Sequence, residues 1–181
     1  MPFFDDQDKP WQPLPVIPEG ISPSLASWLL DTGSLTERLK KTYQNDVKVN
    51  VIKHAWAVPT HSEKLFLGLA DGTRTSIREI FLVCAGQIKI FARSVFPESS
   101  LRGEQASLLE LGNKPLGEFL FAHPAVKRGT IEMAGIPAKQ FNQHLPFQYT
   151  DERAWGRRSL FYIYNQPISV CEVFLPERKQ A

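Results

Sequence analysis

The stretch SVCEVFLP, residues 169–176, places one carboxylate inside an otherwise apolar strand pattern. Successive side chains of a strand point to opposite faces, so Glu172 is expected to share a face with Val170 and Phe174. A carboxylate buried there without a partner costs free energy or takes up a proton. The pattern therefore predicts that Glu172 faces a buried cation or a ligand.

Arginines occupy comparable positions in other strand patterns. Arg78 in IREIFLVC and Arg93 in FARSVF alternate with apolar residues, and one of the adjacent Arg157 and Arg158 must point inward. Two interpretations stay open. The charges form a structural Arg–Glu network or reach water at strand ends, or the excess of cations lines a cavity for an anion. A planar guanidinium suits a carboxylate, so the second interpretation predicts an anionic small-molecule ligand.

Two helical hairpins offer further anion-binding groups. WLLDTGSLTERL predicts one hairpin, in which Ser34 and Glu37 begin the second helix as a capping box. SSLRGEQASLLELGNKPLGEFLF predicts another, whose second helix starts at Pro115. The free backbone N–H groups at these two starts, at Leu35 and Leu116, can bind an anion. The alternative is that Ser34 and Pro115 only begin their own helices.

Alternating apolar residues predict the sheet that must carry these side chains. The interval from Met133 to Trp155 shows no period and predicts a long loop. Strands joined by short turns predict an α+β fold, with one antiparallel sheet of about six strands and the helical hairpins laid against it. The predicted strands are 47–51, a segment around 65–69, 76–84 and 87–96 turning at Ala85-Gly86, VKRGTIEMAGI, and RRSLFYIY and PISVCEVFLP separated by Asn165-Gln166.

Composition bounds the protein class. The 181 residues are 43% hydrophobic and 22% charged with a formal net charge of +2, which is typical of one soluble globular domain. The sequence contains no dense run of Lys and Arg, so we expect no nucleic-acid partner. Its apolar runs are too short for a membrane span, so we expect no membrane partner either. We expect a proline-rich arm over residues 1–20, one domain over 21–176 and a charged tail over 177–181.

The remaining residue types predict no cofactor and no metal. The four histidines lack ligand spacing, and P-loop, GxGxxG and GxSxG patterns are absent. Cys84 and Cys171 lie far apart without CxxC spacing, which predicts buried free thiols in a reducing compartment. The N-terminus lacks the basic and apolar regions of a signal peptide, so the expected location is cytoplasmic.

Several segments, in this order and spacing, resemble the chorismate–pyruvate lyase family: WLLDTGSLTERL, REIFLVCAGQIKIFARSVFP, LLELGNKPLGEFLF and WGRRSLFYIYNQPISVCEVFLP. The resemblance runs from about residue 20 to 176. It implies elimination of pyruvate from chorismate to give 4-hydroxybenzoate, the first committed step of ubiquinone biosynthesis. It also implies helix-turn-helix flaps that close over an internal ligand cavity.

The resemblance implies particular site residues as well. Arg78, Glu172 and the backbone amides of Leu35 and Leu116 are expected to line the site of chorismate and 4-hydroxybenzoate, with Arg93 close to it. We interpret Arg78 and Glu172 as the catalytic pair. The chain departs from the family in a longer connection over Met133–Arg153, and in Leu35, where a methionine is common.

Two other functions fit the same fold. One is a non-catalytic, effector-sensing domain that binds an aromatic acid, although we expect the sheet domain to leave no segment for DNA binding. The other is a related lyase acting on a different enolpyruvyl substrate. A single cavity per chain is sufficient for activity, so we expect a monomer.

Overall fold

A computed structural model describes residues 4–6 and 9–177, and the other residues of the predicted arm and tail lie outside the described part. Within those ranges the chain forms one antiparallel sheet of seven strands in the order β1-β5-β6-β7-β4-β3-β2. This confirms the α+β class, with one more strand than the expected six. The strands are β1 Gln12–Pro13, β2 Val47–Ala57, β3 Thr75–Cys84, β4 Gln87–Pro97, β5 Val126–Pro137, β6 Arg153–Ile163 and β7 Gln166–Phe174.

Short helices fill the connections between the strands. None of them, among the residues described, combines the length and the apolar character that a membrane crossing requires. The α-helices are α1 Pro23–Leu29, α2 Leu35–Thr42, α3 His61–Leu67 and α4 Leu116–Ala122, and the 3₁₀ helices are Glu98–Ser100, Gly103–Glu110 and Ala138–His144.

Tight turns set the register of the two central hairpins. β3 and β4 turn at Ala85 and Gly86, as predicted, and both residues have positive φ, 48° and 72°. β6 and β7 turn at Tyr164 and Asn165, with φ of 47° and 64°, one residue earlier than predicted. Two central residues with positive φ match the twist of paired strands, so these turns keep the strands in register.

Helix α3 replaces a predicted strand. The alternation of leucines around 65–69 favoured a strand, but Leu65 is exposed and the segment is helical. Its start is a capping box, in which Thr60 Oγ1 accepts from the Glu63 backbone N–H and the Glu63 side chain accepts from the Thr60 N–H. Gly68 ends the helix in the left-handed conformation. These local caps outweigh a three-residue alternation.

The second hairpin contains one 3₁₀ helix and one α-helix. The predicted first helix is the 3₁₀ helix Gly103–Glu110, and the second is α4. Gln105, Leu108 and Leu111 are buried, and their spacing of three residues matches the 3₁₀ period rather than the α period.

The predicted loop between Met133 and Trp155 is largely ordered structure. Strand β5 continues to Pro137, and the 3₁₀ helix Ala138–His144 follows directly. Phe141, Leu145 and Tyr149 are buried in the core against the sheet. The aromatic residues of this stretch therefore serve packing, which periodicity alone did not indicate.

The described part of the N-terminal arm packs against the same core. Phe4 is fully buried, with its ring centroid 5.5 Å from that of Phe91. Strand β1 pairs with β5, and the Trp11 ring lies 4.4 Å below the guanidinium of Arg158. These residues form part of the fold rather than a free extension.

The two sheet faces differ in what covers them. We call the face with Arg78 and Glu172 the cavity face, and the helical hairpins cover it. We call the face with Glu79 and Arg93 the network face, and α3, the N-terminal residues and the 3₁₀ helix Ala138–His144 cover it.

The two cysteines are free and buried, which confirms their interpretation as unpaired thiols. Burial raises the pKa of the Cys84 thiol to about 11 and that of Cys171 well above its ordinary value. Both thiols are therefore protonated at neutral pH.

Candidate ligand cavity

A cavity lies between the cavity face of the sheet and the two helical hairpins. The empty space between these elements, including the part that is open to solvent, is ≈ 540 Å³. Four of the five predicted site residues, Leu35, Arg78, Leu116 and Glu172, line it. The remaining lining residues are Gly33, Thr36, Ile80, Leu82, Ala92, Ser94, Pro115, Gly117, Leu120, Phe121, Arg128, Phe161 and Val170.

Arg78 is a buried cation hydrogen-bonded only to neutral groups among the described residues. Its side chain is 1% exposed, and Nη2 donates to the carbonyl oxygens of Gly112 and Lys114 at 2.9 Å each. Its buried Nε has no hydrogen-bond partner within residues 4–6 and 9–177. Burial lowers the pKa of this guanidinium to about 10, since none of the described carboxylates compensates the loss of water. An anion in the cavity would supply the missing partner.

Glu172 lines the cavity and is also paired with a cation. Its Oε2 accepts from Arg157 Nε at 2.6 Å. Arg157 is 1% exposed and in turn donates to the backbone carbonyls of Trp28 and Asp31 at the end of α1. The carboxylate is therefore fixed from behind, so both interpretations of its strand position hold in part: it is one half of a structural pair and it borders the ligand space.

The first turns of α2 and α4 meet at one end of the cavity. Ser34 Oγ accepts from the Glu37 N–H, which confirms the predicted cap of α2. Gly117, in the first turn of α4, lies so close that an added Cβ would come within 3.2 Å of Thr36 Oγ1 and 3.3 Å of Ser34 Oγ. A glycine at this position permits the close approach of the two helix starts.

Arg93 lies elsewhere. It belongs to the network face, where Nε and Nη2 donate to Glu63 at 2.6 and 3.0 Å, and Nη1 donates to Glu79 at 2.5 Å. All three side chains are buried. The predicted binding role of Arg93 does not fit this placement, because two carboxylates occupy its donors on the side of the sheet away from the cavity.

Arg128 lines the cavity and was missed from the sequence. It shares the alternation of Val126 in the pattern VKRGTIEM, and Val126 packs on the cavity-face core. In the sequence, however, the same alternation continues to Thr130 and Glu132, so the parity test that selected Arg78 gave no reason to select Arg128. A register shift between Arg128 and Ile131 interrupts the alternation beyond this point.

The comparisons with known proteins bear on what this cavity binds. The family model described as chorismate lyase matches residues 7–179. The chain belongs to the chorismate lyase family. The probable chorismate pyruvate-lyase of Psychromonas ingrahamii is 38% identical over 165 residues, 89% of this chain and 87% of that protein. The corresponding protein of Thiobacillus denitrificans is 38% identical over 156 residues, 84% of this chain and 83% of its own.

Solved structures share the fold at low sequence identity. A GntR-family transcriptional regulator from Bacillus cereus matches with a TM-score of 0.57 and 16% identity, over 75% of this chain and 98% of that chain. The C-terminal domain of the histidine utilization repressor from Pseudomonas syringae matches with a TM-score of 0.56 and 12% identity, over 75% of this chain and 96% of that chain. This likeness shows that the chain has the fold of these domains.

Proposed function

We propose that this protein eliminates pyruvate from chorismate to give 4-hydroxybenzoate, the step that supplies ubiquinone biosynthesis in this family. Membership of the chorismate lyase family supports the reaction. The observation that carries the assignment to the cavity is Arg78, a buried guanidinium with no carboxylate partner in the described part of the chain, in the same cavity as Glu172.

The chemistry needs placement and charge rather than a strong base. Chorismate has one carboxylate on the ring and another on the enolpyruvyl group. The ring loses the proton from the carbon that bears its hydroxyl, the ring carbon–oxygen bond to the enolpyruvyl group breaks, and the departing enolpyruvate takes up a proton to become pyruvate. Aromatisation of the ring provides driving force, so orienting the substrate and stabilising the leaving enolate account for much of the catalysis.

The residues divide between binding and reaction. Arg78 and the backbone N–H groups of Leu35 and Leu116 hold carboxylate groups of the substrate. Glu172, fixed by Arg157, contacts the reacting edge of the ring and assists the proton transfer. Both catalytic assignments rest on position in the cavity and on the family resemblance.

The two helical hairpins act as flaps. They form one wall of the cavity, so a ligand that fills the space between them and the sheet leaves only when they move apart. An aromatic acid held under such flaps dissociates slowly, which makes opening a candidate for the slowest step.

The direct test is to incubate the purified protein with chorismate and to follow pyruvate and 4-hydroxybenzoate together. Formation of both in equal amounts is the expected result. Binding of 4-hydroxybenzoate without turnover would identify an effector-binding domain instead. Release of pyruvate from another enolpyruvyl acid, but not from chorismate, would identify a related lyase. Light scattering on the same sample tests the expectation of a monomer.

A further inference from the structure

We propose that Arg128 binds the enolpyruvyl carboxylate of chorismate, so that this residue favours the dianionic substrate over the monoanionic product. The inference rests on the proposed function. It assigns the second carboxylate to a residue of the cavity, in place of Arg93, whose donors are occupied by Glu63 and Glu79 on the network face.

The hydrogen bonds of Arg128 leave its charge available. Nη1 donates to the carbonyl oxygen of Thr32 at 2.6 Å and Nη2 donates to Ser159 Oγ at 2.8 Å, and both acceptors are neutral. Its buried Nε has no hydrogen-bond partner among the residues that the structure describes. Burial lowers the pKa of this guanidinium and the neighbouring Arg157 adds to the effect, while Glu172 and Asp31 oppose it without forming a hydrogen bond to Arg128. A carboxylate ligand would compensate the buried positive charge and would accept a hydrogen bond from Nε.

The charges of the cavity match a dianion. Two of its lining residues, Arg78 and Arg128, are arginines whose hydrogen bonds go to neutral acceptors among the described residues. The lining carboxylate of Glu172 is already paired with Arg157. A ligand with two carboxylates therefore gives each arginine an anionic partner, whereas 4-hydroxybenzoate, with one, leaves the half-buried Arg128 hydrogen-bonded only to neutral groups among the described residues.

The sheet order places the two arginines on opposite sides of Glu172. In the succession β5-β6-β7-β4-β3, Arg128 lies on the first strand, Glu172 on the middle strand and Arg78 on the last. Four strand spacings of about 4.8 Å separate the outer strands by roughly 19 Å. The two guanidinium groups can lie closer together than this, because both arginine side chains are long. A small dianion bound between them presents its ring to Glu172.

This arrangement predicts different contributions to substrate and product. The carboxylate at Arg128 leaves with pyruvate, and the product keeps only the ring carboxylate. Loss of the Arg128 charge should therefore weaken chorismate binding and leave 4-hydroxybenzoate binding nearly unchanged. An arginine that only supported the fold would affect both ligands in the same proportion.

The test compares Arg128→Gln with the wild type in two measurements: the KM for chorismate and the dissociation constant of 4-hydroxybenzoate from direct titration. We expect the KM to rise at least about tenfold, as for the loss of a charge-assisted partner in a desolvated site. We expect the product dissociation constant to stay within about twofold. Arg102→Gln, which removes an exposed arginine outside the cavity, is the matched control and should change neither value.

Arg128→Lys keeps the positive charge and gives a second form of the test. It should raise the KM less than Arg128→Gln and again spare the product, and it serves alone if the glutamine variant does not fold. Equal weakening of both ligands, or an unchanged KM, would overturn the role of Arg128. Failure of the wild type to release pyruvate from chorismate would instead overturn the proposed function, so the two failures are distinguishable.

Discussion

At the scale of single residues, the cavity contrasts two kinds of buried charge. Glu172 has a cation, Arg157, that is itself anchored to backbone carbonyls. Arg78 has only carbonyl partners among the residues described, and burial lowers its pKa. A paired charge is oriented by the protein, whereas a charge paired only with dipoles is costly until a ligand binds. The protein therefore holds Glu172, the proposed acid–base group, in a fixed orientation. It leaves Arg78, the proposed anion-binding group, able to pair with a ligand carboxylate.

This cost leads to a prediction for Arg78→Met, which keeps most of the side-chain volume and removes the charge. Turnover of chorismate and affinity for 4-hydroxybenzoate should fall by the equivalent of about 2–5 kcal/mol, because the ligand carboxylate loses its partner. The melting temperature without ligand should stay the same or rise, since a desolvated cation is gone. Kinetics and thermal melts on one preparation provide the measurement, and near wild-type kinetics in the folded variant would contradict the role.

For Glu172→Gln, we expect kcat to fall by about 10²–10⁴-fold, the usual contribution of a general acid–base group. The amide keeps the volume and some hydrogen bonding, so 4-hydroxybenzoate binding should weaken less than turnover. Comparing kcat with product affinity in the same folded variant separates catalysis from packing. An unchanged kcat with a lower melting temperature would mean that Glu172 is only a partner of Arg157.

Strand parity selected Arg78 and Glu172, which line the cavity, but it could not separate them from Arg93, for a physical reason. Parity states which residues share a face, as for Glu172 and Val170, but it does not state which face borders the ligand. Arg93 alternates with apolar residues just as Arg78 does, on the opposite side of the sheet. Only the placement of α3, with Glu63, shows that this side holds a charge network.

At the scale of elements, the first turns of α2 and α4 are in close contact, and we expect this contact to set how tightly the proposed flaps meet. Gly117 lies against Ser34 and Thr36 there, and it also lines the cavity. The exposed ion pair of Lys40 and Glu118 joins the same two helices. Exposed pairs are worth little, so the close glycine contact is the more important of the two.

Gly117→Val tests this contact, because the added side chain would have to displace the Ser34 and Thr36 side chains. We expect the flaps to separate slightly, weakening 4-hydroxybenzoate binding and lowering kcat/KM by about tenfold, the order expected when binding groups are misplaced by a fraction of an ångström. Gly117→Ala should have a smaller effect in the same direction. Glu118→Ala, which breaks only the surface ion pair, is the control. If it lowers kcat/KM as much as Gly117→Val does, the glycine contact is not the more important of the two.

The elements were predictable where one signal dominated. The β3–β4 turn and the cap of α2 follow from local chemistry and were found. Around helix α3 two signals conflict. Three alternating leucines favour a strand, whereas Thr60 and Glu63 form a capping box that starts a helix, and the helix is what forms. The length of β5 and the burial of Phe141 depend on contacts distant in the sequence, so no local pattern could supply them.

At the scale of the whole molecule, the sheet separates the ligand cavity from a buried charge network. On the network face, Arg93 binds Glu63 and Glu79, while Arg158 binds Glu132 and Asp6. These bonds join the N-terminal residues and α3 to the sheet from which the cavity residues project on the other side. None of these network charges lines the cavity.

Asp6 gives this division a pH dependence. Its side chain is buried, with Oδ1 accepting from Thr60 Oγ1 at 2.6 Å and Oδ2 at 3.4 Å from Arg158. Burial raises its pKa, reinforced by Glu63 and opposed by Thr60 and Arg158. The folded state thus binds the proton more tightly than the unfolded chain. The resulting stabilisation is complete below the unfolded pKa of about 3.9 and is lost as pH rises through the higher folded value.

Asp6→Asn removes this titration, so the free energy of unfolding of the variant, relative to wild type, should increase as pH rises from about 3.9 through the folded-state pKa of Asp6, and then level off. Urea unfolding at several pH values between about 3.5 and 7 measures the difference. Replacing a carboxylate by an amide can also change the free energy of unfolding by a constant amount. This amount does not affect the result, because the test uses only the change of the difference with pH. Asp71→Asn, at a fully exposed side chain, is the control for replacing a carboxylate by an amide. A difference that decreases with rising pH would mean that the bonds from Thr60 and Arg158 outweigh burial, and that ionised Asp6 stabilises the attachment of the N-terminal residues.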